Sequence, residues 1–136
     1  MDKLFPAHGA FSIQIENRTL ITEVRGPWNA ELAQLWVAEA KPMVSQLAVQ
    51  NYWTSMTIIT ESMLSTPEAM AILAAATFKA VNEFHLVAHA TVRSRQVCGY
   101  GVLEGAFEQQ YVNLCPFKFF ETLEPARNWL AQIQQQ

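Results

Sequence analysis

Segments in which apolar residues recur every second position alternate with segments in which they recur every third or fourth, and nothing else in the chain constrains its fold as strongly. Phe11, Ile13 and Ile15 interleave with Ser12, Gln14 and Glu16, the period of a strand with one buried and one wet face. Asn17-Arg18 joins this run to a second β-rich run from Thr19 to Arg25, and so short a connection reads as a hairpin. Gly26-Pro27 stops the second strand. Asn29 is a good N-cap, Glu31 suits a first turn, and Leu32, Leu35, Trp36, Ala40, Met43 and Leu47 recur at helical spacing to about Val49. Pro42 lies inside this helix and is expected to kink or divide it, because its ring removes a backbone donor and crowds the preceding turn.

Trp53 to Thr60, rich in Thr, Ile and aromatic character, favours a third strand. Ser65-Thr66-Pro67-Glu68 opens a second helix in one of two ways: Thr66 as N-cap with Pro67 at the first position, or Ser65 and Glu68 as a capping box. Ile72, Leu73, Ala76, Ala80, Val81 and Phe84 supply its buried stripe. His85 to Arg93 reads as a fourth strand. Val97 to about Gln110 reads as a third helix with Gly99, Val102, Leu103, Ala106 and Phe107 on one side. Phe117 to Phe120 is a short fifth strand, and Thr122 is expected to cap a last helix that buries Leu123, Ala126, Leu130 and Ile133.

The order ββαβαβαβα implies an α/β domain with right-handed crossovers. Its five-stranded sheet is mixed but mostly parallel, with the opening hairpin supplying the antiparallel strand. The clean alternation of the first strand predicts helices mainly on one face. A chain of 136 residues is expected to form one domain over 1–136, with 1–9 and 134–136 as frayed ends. A hydrophobic fraction of 51% against 15% charged residues argues against disorder. Nine Lys plus Arg against twelve Asp plus Glu, a net charge of −3, offer no footprint for a phosphate backbone, so nucleic acid is not expected as a partner. Charged or amide residues interrupt every apolar run before the roughly 18 to 20 residues of a transmembrane helix. The first residues lack the basic and apolar regions of a secretory signal, so a cytoplasmic location is expected. Cys98 and Cys115 then stay as reduced thiols.

The chemistry-bearing residues form few constellations. In an extended strand His85 and His89 stand about 13 Å apart, too far to share one ion, and no Cys or carboxylate lies at ligand spacing, so no metal or other cofactor is expected. Their even spacing puts them on one face with Thr91 and Arg93. Gly99, Gly101 and Gly105 echo a dinucleotide fingerprint, but the third glycine falls one residue late. Their reading here is small residues that let the third helix lie close on the sheet. Neither cysteine has an assignable base, and Glu121 and Glu124 suit a helix start, so no enzyme active site is expected.

Three segments carry a resemblance to a known family: Val24-Arg25-Gly26-Pro27-Trp28-Asn29, Leu64-Ser65-Thr66-Pro67-Glu68-Ala69, and the closing run from Phe117 through Thr122-Leu123-Glu124-Pro125-Ala126 to Leu130. With the element order, they make the chain resemble the STAS fold of anti-sigma-factor antagonists, and more closely the SpoIIAA-like (STAS/SEC14) branch of small bacterial proteins. The resemblance implies a non-enzymatic regulatory or protein-interaction module. A small apolar ligand or lipid is the alternative occupant, from the SEC14-like side of the family. Antagonists carry a phosphorylated Ser in an Asp-Ser-(Ser)-Gly turn before the second helix. The corresponding stretch here, Thr60 to Thr66, has neither the Asp-Ser pair nor the Gly. Ser62, Ser65 and Thr66 are therefore read as caps first and as a phosphorylation switch second.

Two further sites follow from the pattern. Arg93, Ser94 and Arg95 sit beyond the carboxyl end of a strand and before a helix, where open α/β sheets bind ligands, and form a candidate anion site. A polar sheet face implied by Ser12, Gln14 and Glu16 together with His85, His89 and Thr91 is expected to lie open to a protein partner or a second copy. A large apolar cavity near the start of the second or third helix would instead favour ligand binding.

Overall fold

The computed structural model describes residues 9–97 and 99–135, with Tyr100 through its backbone only; Cys98 and the ends 1–8 and 136 lie outside the described residues. The elements are β1 (Ala10–Glu16), β2 (Thr19–Arg25), α1 (Ala30–Gln50), β3 (Trp53–Thr60), α2 (Pro67–Glu83), β4 (Leu86–Arg93), α3 (Tyr100–Gln109), β5 (Phe117–Phe120) and α4 (Leu123–Gln134). The strands lie in the order β1-β2-β3-β4-β5, with β1 antiparallel to β2 and the remaining pairs parallel.

Local chemistry explains most boundaries. Asn17 and Arg18 both take positive φ in the β1–β2 turn, which matches a two-residue hairpin. The Asn29 side chain accepts from Leu32 N at 2.9 Å and starts α1. Thr66 accepts from Ala69 N at 3.1 Å with Pro67 at the first turn of α2, the first of the two readings of that segment. Pro42 does not divide α1, which runs on through it with the proline ring exposed on the solvent side. Thr122 precedes α4 but makes no side-chain capping bond. Helix α3 begins at Tyr100 behind Gly99, whose φ of +85° is the left-handed conformation a glycine permits.

Three helices cover one face of the sheet and one covers the other. Leu32 and Ala33 of α1, Ala69 and Leu73 of α2 and Phe107 of α3 pack with Val24 and Ile59. On the opposite face Ala126 and Leu130 of α4 meet Ile21, Met56, Ala88, Ala90 and Val92, where the small β4 side chains make room for the helix. Beyond α4 the face opens, and Ser12, Gln14 and Glu23 are exposed.

Three expectations need correction. A Cβ on Gly101 or Gly105 would meet nothing within 4 Å, so these glycines face open space and do not bring α3 close to the sheet. Val102 is 83% exposed, and among the described residues of its apolar side α3 docks through Leu103 and Phe107. Position 134 is not frayed: Gln134 Nε2 donates to Thr54 Oγ1 at 2.7 Å and lies 3.3 Å from Thr19 Oγ1, which ties α4 across β2 and β3.

Candidate functional site

Parallel pairing sets the polar residues of three strands in rows on the face beneath α1, α2 and α3. Thr22, Thr57 and Thr91 are register partners across β2, β3 and β4, and Ser55 partners His89 one row away. These groups floor a cavity of about 210 Å³. Its walls are Trp36, Val37, Ala40 and Val44 of α1, Leu73, Ala76 and Ala80 of α2, and Phe107 and Tyr111 at the end of α3. The exposed Lys41 and Lys79 line its rim, so it reaches the surface beside α1 and α2.

The floor retains hydrogen-bonding capacity. Thr22 Oγ1 accepts from Trp36 Nε1 at 3.1 Å, and His89 Nε2 lies 3.2 Å from Thr91 Oγ1. The Ser55 and Thr57 hydroxyls make no hydrogen bond among the described residues, nor does His89 Nδ1. The Tyr111 ring stacks on His89 with centroids 4.6 Å apart, and on Phe117, the β5 partner of His89, also at 4.6 Å. Burial pushes the His89 pKa down to about 3, so the imidazole is neutral near pH 7 and a feeble base. Burial likewise raises the Tyr111 phenol far above its usual range and pushes the Cys115 thiol up to about 11. Among the described residues no three His, Cys, Asp or Glu gather as metal ligands. The arrangement can enclose an apolar molecule and hydrogen-bond its polar end.

The segment before α2 is strapped down. Trp28 N donates to Leu64 O at 2.8 Å, and Thr66 N donates to Trp28 O at 3.2 Å. Ser62 is buried, and its Oγ accepts from Leu64 N at 3.0 Å. A Cβ on Gly26 would stand 2.0 Å from the Ser62 carbonyl oxygen, so only glycine lets the two backbones approach. Ser65 Oγ is enclosed without a hydrogen-bond partner among the described residues, and Thr66 is spent on its cap.

Neither a protein-family model nor a curated protein matches the chain. A solved structure from Shewanella loihica PV-4, an uncharacterised protein of the DUF3478 family with a SpoIIAA-like fold, matches with a TM-score of 0.60 and 19% identity, over 96% of this chain and 98% of that one. The fold is SpoIIAA-like. No helix of the described residues is long and apolar enough to cross a membrane.

Within this SpoIIAA-like frame two of the expected sites change character. The open face does not include the histidines. β4 begins at Leu86, and the register slips between Trp53 and Thr54, whose partners are Leu86 and Ala88; the extra Val87 moves His89 onto the helix-covered face. His89 is 4% exposed beneath Tyr111, whereas His85 precedes the strand at φ +68°, exposed and edge-on to Tyr52. The two arginines of the expected anion site both have carboxylate partners. Arg93 pairs with Glu104 of α3 and lies over the Phe119 ring, and Arg95 Nε donates to Glu121 Oε1 at 2.8 Å. Ser94 Oγ accepts from Gln96 N. Both guanidinium charges are answered by carboxylates, which leaves little attraction for a free anion. The cavity lies under the later turns of α2 and the end of α3 rather than at their starts, and its sequence signal is that Thr22, Ser55, Thr57 and Thr91 recur at even spacing within apolar strands, a sign of a polar row on a buried face.

Proposed function

We propose that this SpoIIAA-like domain is a non-enzymatic binding module for a small, largely apolar molecule held between the sheet and α1, α2 and α3. One observation carries the reading: an apolar cavity of about 210 Å³ whose floor offers the unspent Ser55 and Thr57 hydroxyls. An apolar void of about 150 Å³ takes up a benzene ring, so this one suits a ring with a short chain or a comparable aliphatic. Protein recovered from cells under mild conditions should yield a compound of that kind on solvent extraction and mass spectrometry. Ala76→Leu, which fills the cavity from α2, should yield none while folding normally. Equal recovery from both proteins would contradict the reading.

A second reading keeps a protein-interaction role. β1 is an edge strand, and the adjoining sheet face with Ser12, Gln14 and Glu23 is uncovered, so a strand from a partner or a second copy could pair there. Self-pairing would slow hydrogen exchange of alternate β1 amides as protein concentration rises.

A further inference from the structure

The charges around the cavity are one-sided. Lys41 on α1 and Lys79 on α2 are the charged residues that line it, and no Asp or Glu does. They also stand apart from the other cations of the chain. Of the nine Lys and Arg, Lys3 lies outside the described residues. Arg25, Arg93, Arg95 and Arg127 each pair with a glutamate, Arg18 donates to the Gln50 carbonyl, and Lys118 lies over the Phe120 ring. Among the described residues only Lys41 and Lys79 have no such partner, and both are at the cavity. Glu83 stands one helical turn beyond Lys79 without closing an ion pair. In a protein of net charge −3, two unanswered ammonium groups at the rim of one apolar cavity form a local site for an anion.

We propose that the natural ligand is an amphipathic organic acid, with its apolar body in the cavity and its carboxylate at the rim between Lys41 and Lys79. This rests on the ligand-binding reading above and adds to it the charge and orientation of the ligand. Lysine suits the task, because its stem covers apolar helix surface while its ammonium reaches the water where a carboxylate stays hydrated. The interior then needs no charge, which agrees with a floor of hydroxyls and a histidine.

A matched pair of probes separates the two claims. 4-Phenylbutyrate and 4-phenylbutanol share a ring and chain of suitable size and differ in charge at the end. Calorimetric titration of the full chain at low salt should show the acid binding about fivefold or more tightly than the alcohol, with the advantage shrinking as salt rises. In K41Q/K79Q, two exposed substitutions that leave the core untouched, the acid should lose its advantage and bind no more tightly than the alcohol. Equal binding of both probes to the native protein, or an acid preference that survives in K41Q/K79Q, would overturn the carboxylate assignment and leave the cavity reading standing. Failure of both probes to bind would overturn both claims.

Discussion

Stacked under Tyr111 and buried on the sheet floor, His89 stays neutral because burial strips away the solvation that would stabilise an imidazolium. Its folded pKa, near 3, lies below the ordinary 6.5 that applies in the unfolded chain. Above pH 6.5 neither state carries the proton and the neutral ring costs nothing. As pH falls from 6.5 toward 3 only the unfolded chain takes the proton, so stability drops by about 1.4 kcal/mol per pH unit from this residue. Tyr111, the titratable ring against it, stays protonated throughout that window. Urea unfolding at pH 6.5 and 4.5 should therefore show a steeper acid loss in the native protein than in His89→Gln; parallel losses would refute the assignment. The hydroxyls before α2 separate in the same way. Thr66→Ala should cost about 1 kcal/mol, whereas Ser65→Ala, which removes an enclosed hydroxyl without a partner, should be neutral or stabilising in thermal melts. The Thr66-Pro67 cap was legible because its chemistry is local. The fates of His89 and Arg93 were not, since they depend on the irregularity at Val87 and on Glu104, which lies on the next helix.

Among the elements, the strand and helix order was legible throughout, because each segment keeps its own hydrophobic period over several residues. The assignment of helices to faces was legible only in outline. Three of them share a face, but α4 crosses to the other, and its apolar stripe of Leu123, Ala126, Leu130 and Ile133 carries no mark of which face it will meet. The small residues Ala88 and Ala90 on β4 complement it, a pairing visible only once the sheet is assembled. The C-terminal turn of α4 is held by Gln134 reaching Thr19 and Thr54, which also bond each other at 2.8 Å. Gln134→Ala should cost about 1 kcal/mol in chemical denaturation and speed hydrogen exchange in the last turn of α4. An unchanged protein would mean that the turn frays as its glutamine-rich sequence suggests.

At the scale of the whole molecule, the sheet offers two unlike surfaces. The α4 side is filled by apolar side chains at its centre and polar where it opens. The other side is bridged by three helices that leave a space over a row of hydroxyls. Packed interiors rarely keep a void of this size without an occupant, whether ordered water or ligand, when its floor carries polar groups. Three tryptophans, Trp28, Trp36 and Trp53, line that space, while Trp129 packs against Phe120 on the α4 side. The most direct measurement is a residue-resolved NMR titration of the full chain with phenol, a neutral ring carrying one hydroxyl. Saturable shifts should concentrate at Ser55, Thr57, Ala76 and Thr77 and at the indoles of Trp36 and Trp53, with Ala126, Leu130 and Trp129 unmoved and with Ala76→Leu silent. Shifts spread evenly over both faces, or a full response in Ala76→Leu, would contradict a ligand site between the sheet and its three helices.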